Sequence, residues 1–138
     1  MPEVLTSPVI LYAEDDLDDF ESVNEALEQL SGGCQLVHAR NGSEAVEYLE
    51  QHEANLPCLI VLDLNMPVMN GKEVLLWLKE KEQFKNIAVI VFTTSSREDD
   101  VKLCQKHSCT FFRKPTLYRD LLHIVQMMIQ MCEKACRN

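Results

Sequence analysis

Two short stretches, "CLIVLDL" (58–64) and "IAVIVFT" (87–93), are apolar at nearly every position. A strand with one face in water alternates apolar and polar residues. A continuous run bounded by polar turns therefore suits a strand covered on both faces, as in a parallel sheet. Three further runs share the bias toward Val, Ile, Leu, Phe and Tyr: "PVILYA" (8–13), "CQLVHA" (34–39) and "TFFRK" (110–114). Between them lie helical stripes, with Phe20, Val23, Leu27 and Leu30 in the first. Ala45, Val46 and Leu49 form the second, Val74, Trp77 and Leu78 the third, and Val101 and Cys104 a weaker fourth. "NGSEAVEYL" (41–49) opens with turn residues and a helix-starting Ser43. Strand and helix alternate five times over short connections, which predicts an α/β fold with a parallel sheet, helices on both faces and right-handed crossovers.

The chain of 138 residues has the size of one domain. Residues 1–6 read as a loose terminus and 7–138 as the domain, including a long last helix from Leu117 to Cys136. In that helix Leu117, Leu121, Ile124, Met128 and Met131 can line the core, and Leu122, Val125, Ile129 and Cys132 widen the apolar surface. Such a surface at the edge of a small domain points to self-association, a homodimer through the last helix; a broad core face is the plainer reading. The net charge of −9 argues against nucleic acid, because phosphate repels an acidic chain. No apolar run reaches the length of a membrane span and the N-terminus is no signal peptide, so the expected location is the cytoplasm. None of the six cysteines forms a CxxC pair, and reduced thiols are expected. The histidines at 38, 52, 107 and 123 stand in no phosphodonor context.

In an open parallel sheet, sites form beyond the carboxyl ends of the strands. Glu14, Asp15 and Asp16 stand at the end of strand one, Asp63 at strand three, Thr93 and Thr94 at strand four, and Lys114-Pro115 at strand five. Crowded carboxylates repel unless a cation lies between them, and hard oxygen ligands with room for water suit magnesium. Asp63 can attack phosphorus as a nucleophile, with a hydroxyl and Lys114 sharing the charge of the transferring group. Asp18 and Asp19 fit the start of a helix, where carboxylates meet the positive end of its dipole.

The four motifs "ILYAEDD", "LIVLDLNMPVMNG", "IAVIVFTTS" and "FFRKP" occur in the order of a response-regulator receiver domain, which the chain resembles from about Pro8 to the last helix. The resemblance implies a flavodoxin-like (βα)5 fold with strand order 2-1-3-4-5. It implies a single-domain regulator that takes a phosphoryl group from a histidine kinase or phosphotransfer protein onto Asp63, with Mg2+ as cofactor. Asp15 and Asp63 would ligate the ion, the backbone carbonyl of Asn65 would be the third protein ligand, and Glu14 would hold its waters. Thr93 would be the switch hydroxyl, with Thr94 in the small-residue slot, and Lys114 would pair with the phosphoryl group. Asp16, Asn65 and Ser95 stand at variable tuning positions. Phe111 matches the aromatic that follows the switch hydroxyl inward; core packing is its other reading. The Lys114-Pro115 bond is expected to be cis. His107-Ser108 stands where many members have Gly-Ala, and Thr116 where many have Phe. The segment "KEKEQFKN" is similar to stand-alone receivers that include partners of bacterial phytochrome-type kinases. The family implies no enzyme acting on an external substrate. An aspartyl-phosphate phosphatase would want a second Asp where Asn65 stands, and a nucleotide or flavin binder a Gly-rich loop after strand one.

Overall fold

The computed structural model describes residues 8–30, 33–95 and 97–136. The loose terminus expected over residues 1–6 lies outside them. The elements run β1 (Val9–Ala13), α1 (Leu17–Gln29), β2 (Gln35–Ala39), α2 (Gly42–Gln51), β3 (Leu59–Leu62), α3 (Gly71–Glu80), β4 (Ala88–Thr93), α4 (Glu98–Lys106), β5 (Thr110–Arg113) and α5 (Tyr118–Cys136). All strand pairs are parallel and the order is β2-β1-β3-β4-β5. β3 is buried at every position and β4 at all but its first, whereas the edge strands β2 and β5 are largely half-buried. The continuous apolar runs thus belong to the covered interior of the sheet.

The pleat sends alternate residues to opposite faces. Ile10, Tyr12, Leu59, Val61, Ile90 and Phe92 meet α1 and α5 through Val23, Leu27, Val125 and Ile129. Leu11, Ile60 and Leu62 meet α2 and α3 through Ala45, Leu49, Val74, Leu75 and Leu78. Leu75 was absent from the stripe read in the sequence, but it is fully buried. α4 contributes only Cys104 to a small cluster with Leu64 and Val91.

Helix starts place the functional edge. α2 begins at Gly42 with Asn41 as its N-cap, so Ser43 lies inside the helix; the Asn41 side chain accepts from the Glu44 N–H at 2.9 Å. α3 opens on a reciprocal capping box between Asn70 and Glu73, which satisfies two otherwise orphaned donors. Gly71 lies so close to β3 that a Cβ there would stand 2.3 Å from the Asp63 carbonyl oxygen.

Three expectations need correction. Leu117 precedes α5 and is 49% exposed rather than in the core, while Val125, Ile129 and Cys132 are buried in the interior rather than widening the outer surface. The described chain contains no cis peptide bond, so Lys114-Pro115 is trans, the isomer that X-Pro bonds favour by about 0.5–1 kcal/mol when nothing enforces the other. Cys58 and Cys132 are not separate thiols but are joined through their sulfurs, at a Cα separation of 5.0 Å that suits a disulfide. α5 runs back across β3, which brings its last turn over the residue before that strand.

Candidate functional site

Three backbone hydrogen bonds carry the sheet ladder one residue past its strands. The Glu14 N–H donates to Ala39 O at 2.9 Å, the Asp63 N–H to Ala13 O at 3.1 Å, and the Lys114 N–H to Thr93 O at 2.8 Å. This overhang holds three charged residues on the carboxyl edge, Glu14 and Asp63 beyond the neighbouring strands β1 and β3 and Lys114 beyond β5 with β4 between. Glu14 is 1% exposed and Asp63 6% exposed, whereas Asp15 faces solvent.

The Lys114 ammonium is the hub. It donates to Glu14 Oε1, to Asp19 Oδ2 at 2.8 Å and to Asp63 Oδ2 at 3.0 Å. An ammonium has three N–H donors, so all are used. Burial alone would pull the Lys114 pKa down; the bonds to Asp19, Glu14 and Asp63 override it and hold the pKa above its usual value. Burial pushes the Glu14 carboxyl up to about 7, the Lys114 hydrogen bond opposes this, and the Asp63 charge adds to it. Glu14 also accepts from the Tyr12 hydroxyl and the Asp16 N–H, each at 3.1 Å. Burial first, and then the Glu14 charge, push the Tyr12 phenol far above its usual pKa, which keeps it a donor.

Asp16 is the N-cap of α1 and accepts from the Asp18 and Asp19 N–H groups. In a capping box a Glu or Gln in the third helical position, which Asp19 occupies here, reaches back to the N-cap N–H. Here Glu14 takes that N–H, which leaves Asp19 to bind Lys114. Reading Asp19 only as a dipole partner missed this contact; its place at the third helical position was the available signal. Tyr12 and the His38 ring, 2.7 Å from Glu14 O, were also not singled out.

Carboxylate oxygens of Glu14, Asp15 and Asp63 all lie within 4.8 Å of one another. Lys114 touches two of these groups, so the cluster carries more negative charge than one ammonium offsets. An all-oxygen donor set with excess negative charge fits a hard divalent cation. The Asn65 N–H donates to Asp63 Oδ1 at 3.0 Å. Thr93 is fully buried, and its hydroxyl accepts from the Asn65 amide at 3.4 Å and the Ser95 N–H at 3.3 Å. Thr94 is exposed. The Ser95 hydroxyl lies 3.5 Å from Asp100, a buried acid of α4 whose ion pair with Lys72 of α3, at 2.8 Å, was also missed. Phe111 is half-buried against the Leu64, Val91 and Cys104 cluster. Pro115 and Thr116 border a cleft of about 240 Å³ beside Lys114, together with Asp19, Ser22 and Tyr118. In the loop after β3, Val68 is 79% exposed and takes φ 68°, a left-handed conformation that is rare for a β-branched residue.

Residues 10–126 match the family described as response regulator receiver domain. The chain is 37% identical over 123 residues to the response regulator Rcp1 of Synechocystis, covering 86% of this chain and 84% of that one. It is 33% identical to a probable methanogenesis regulatory protein, FilR2, of Methanothrix harundinacea, covering 86% and 79% of the two chains. Among solved structures, the phosphorylated cyanobacterial phytochrome response regulator RcpA superposes with a TM-score of 0.79 at 34% identity, covering 89% of this chain and 91% of that one. The Mn2+-bound form of Rcp1 gives 0.78 at 36% identity, covering 88% and 91%.

Proposed function

This chain belongs to the response regulator receiver domain family, whose members signal by phosphorylation, and on that premise we propose that Asp63 is the phosphoacceptor, taking its phosphoryl group from a phosphohistidine of a histidine kinase or phosphotransfer protein. The observation that carries this reading is the convergence of Lys114 on Asp63 and Glu14 at the carboxyl edge of the sheet. An Asp63 carboxylate oxygen attacks phosphorus as the bond from phosphorus to the imidazole nitrogen breaks; the imidazole departs with the bonding pair and takes up a proton. Lys114 turns an N–H from the carboxylate toward the phosphoryl oxygens, whose negative charge it shares. The cleft beside Lys114 gives the donor an approach between α1 and the start of α5.

Asp15, Asp63 and the Asn65 carbonyl would hold Mg2+, with Glu14 binding its waters. The ion would supply charge neutralisation for the phosphoryl oxygens. The acidic cluster supports a divalent ion, and Rcp1 has been crystallised with Mn2+. Once Asp63 carries the phosphoryl group, the Thr93 hydroxyl exchanges its contacts with Asn65 and Ser95 for a phosphoryl oxygen, and Phe111 follows by repacking, since it has no hydroxyl to offer. Thr94 leaves space beside the group, Asp16 and Ser95 set access to it, and Pro115 shapes the turn after Lys114. Half-buried Leu122 and Met131 and exposed Met127 remain on α5 for a second copy of the chain. The module acts in the cytoplasm, where kinases of this kind present their phosphohistidine.

Incubation with Mg2+ and acetyl phosphate tests the central claim. One phosphoryl group per chain is expected, and none in Asp63→Asn. Labelling that survives the substitution, or never occurs with small donors or a kinase, removes it. Sedimentation with and without a phosphoryl mimic tests the dimer, which a monomer at every concentration would exclude.

A further inference from the structure

The end of α4 stops in a particular way. Ser108 takes the left-handed conformation, φ 59°. Its N–H donates to Gln105 O at 3.1 Å, and the Cys109 N–H donates to Cys104 O at 2.9 Å. With His107 as C-cap, these are the two bonds of a Schellman motif, whose second residue beyond the cap packs on the helical residue three before it. Those residues are Cys109 and Cys104. The helix stop therefore presses two thiols into one apolar cluster, where the Cys109 thiol also donates to the His107 carbonyl oxygen at 3.7 Å. Cys104 is 1% exposed and Cys109 half-buried, and both pack in the cluster that contains Leu64, Val91 and Phe111.

The environments differ in a chemically useful sense. The neighbouring Cys104 thiol, aided by the Lys79 charge, outweighs burial and holds the Cys109 pKa below its usual value, while the Cys109 neighbour and burial push that of Cys104 up. The accessible sulfur is thus the better nucleophile, and the buried one is placed to attack second.

We propose that Cys104 and Cys109 form a redox-active dithiol that closes to a disulfide by exchange with an oxidised low-molecular-weight thiol, R–S–S–R. The Cys109 thiolate attacks one sulfur of R–S–S–R, breaking its S–S bond and releasing R–S⁻, which takes up the proton Cys109 lost. Cys104 then gives up its proton and attacks the Cys109 sulfur of the mixed disulfide, and the second R–S⁻ leaves and is protonated. Two protein thiols are oxidised to one disulfide while R–S–S–R is reduced to two R–SH. The new bond ties the last turn of α4 to the residue before β5, against Phe111, and stiffens the α4–β5 corner. This site is separate from the joined Cys58 and Cys132, which link the residue before β3 to α5.

Trypsin separates the two cysteines: Cys104 lies in the peptide Leu103–Lys106 and Cys109 in His107–Arg113. The folded protein is treated with oxidised glutathione, acid-quenched, capped with N-ethylmaleimide and digested without reductant. The two peptides should appear linked, two hydrogens lighter than their sum, and separate on reduction. Cys104→Ala should stop at the glutathione adduct on Cys109. Cys109→Ser should slow modification of Cys104 by about tenfold or more, because the buried thiol has lost its accessible partner. Hydrogen exchange over 98–113 should slow in the oxidised wild type and be unchanged in oxidant-treated Cys109→Ser. Peptides that stay capped and unlinked in the wild type, or a Cys104 that reacts equally fast in Cys109→Ser, would overturn the proposal.

Discussion

Replacing Glu14 by Gln isolates the cost of the buried charge at this site. The glutamine keeps the size of the side chain and matches the protonated acid in charge. In the folded protein the Glu14 carboxyl has its pKa pushed from an ordinary 4.5 up to about 7. The folded state therefore holds this proton more tightly than the unfolded chain. Below about pH 4.5 both states are protonated and nothing is lost. As pH rises from there, the unfolded chain releases its proton first and stability falls, until the full penalty is present above about pH 7. The gap between the two values corresponds to roughly 3 kcal/mol, and solvent screening at the mouth of the site trims it to about 1–3 kcal/mol. For a chain of this size that is on the order of 3–9 °C in Tm. Thermal unfolding with a chelator present should give wild type and Glu14→Gln nearly equal Tm at pH 5. At pH 8.5 the variant should be the more stable. Adding Mg2+ should remove that advantage, because the ion stabilises the ionised carboxylate of the wild type. Parallel pH curves for the two proteins would refute the reasoning, since Lys114 would then compensate the Glu14 charge in full.

Other perturbations probe the supports of the site. Gly71→Ala would place a Cβ 2.3 Å from the Asp63 carbonyl oxygen; α3 must shift away from β3, with an expected loss of about 1–3 kcal/mol in urea unfolding and slower phosphorylation by acetyl phosphate. Lys72→Met leaves the buried Asp100 carboxylate without its ion-pair partner. Because Lys72 is partly exposed, a loss of about 1–3 kcal/mol is expected, and adding Asp100→Asn should recover most of it in the same denaturation assay. Reducing the link between Cys58 and Cys132, which closes a sequence separation of 74, should destabilise the domain by up to about 4 kcal/mol; an unchanged Tm in excess reductant would count against that link as a stabilising element.

The parallel sheet was legible because burial on both faces leaves a one-dimensional mark. Val61 and Ile90 lie in runs that no half-exposed strand would carry, and they fall in the central strands β3 and β4. The strand order came with the receiver resemblance and is the one observed. The helix stripes were legible for the same reason of period, except where a residue beside the stripe is also covered, as with Leu75. Contacts between distant segments left no such mark. Cys58 and Cys132 each read as an ordinary apolar neighbour, and only the path of α5 over β3 brings them together. The trans bond at Pro115 is equally invisible, because either isomer satisfies the local sequence.

The charged edge was legible as a list of residues at strand ends, but its wiring was not, and the reason is competition for donors. Position along the chain says that Asp16, Asp18 and Asp19 can all serve a helix start. Which one leaves for another task depends on who takes the Asp16 N–H. Glu14 takes it because the ladder bond to Ala39 fixes the Glu14 backbone one residue beyond β1, with its side chain turned inward between Tyr12 and Lys114. Asp19 is then released to become the third acceptor on the ammonium. The consequence bears on the proposed chemistry. Lys114 cannot serve an incoming phosphoryl group without giving up a carboxylate, and the one it gives up most easily is Asp63, whose charge the new bond to phosphorus reduces. Glu14 and Asp19 can keep their hydrogen bonds throughout, so the ammonium has only to redirect one N–H and does not have to travel.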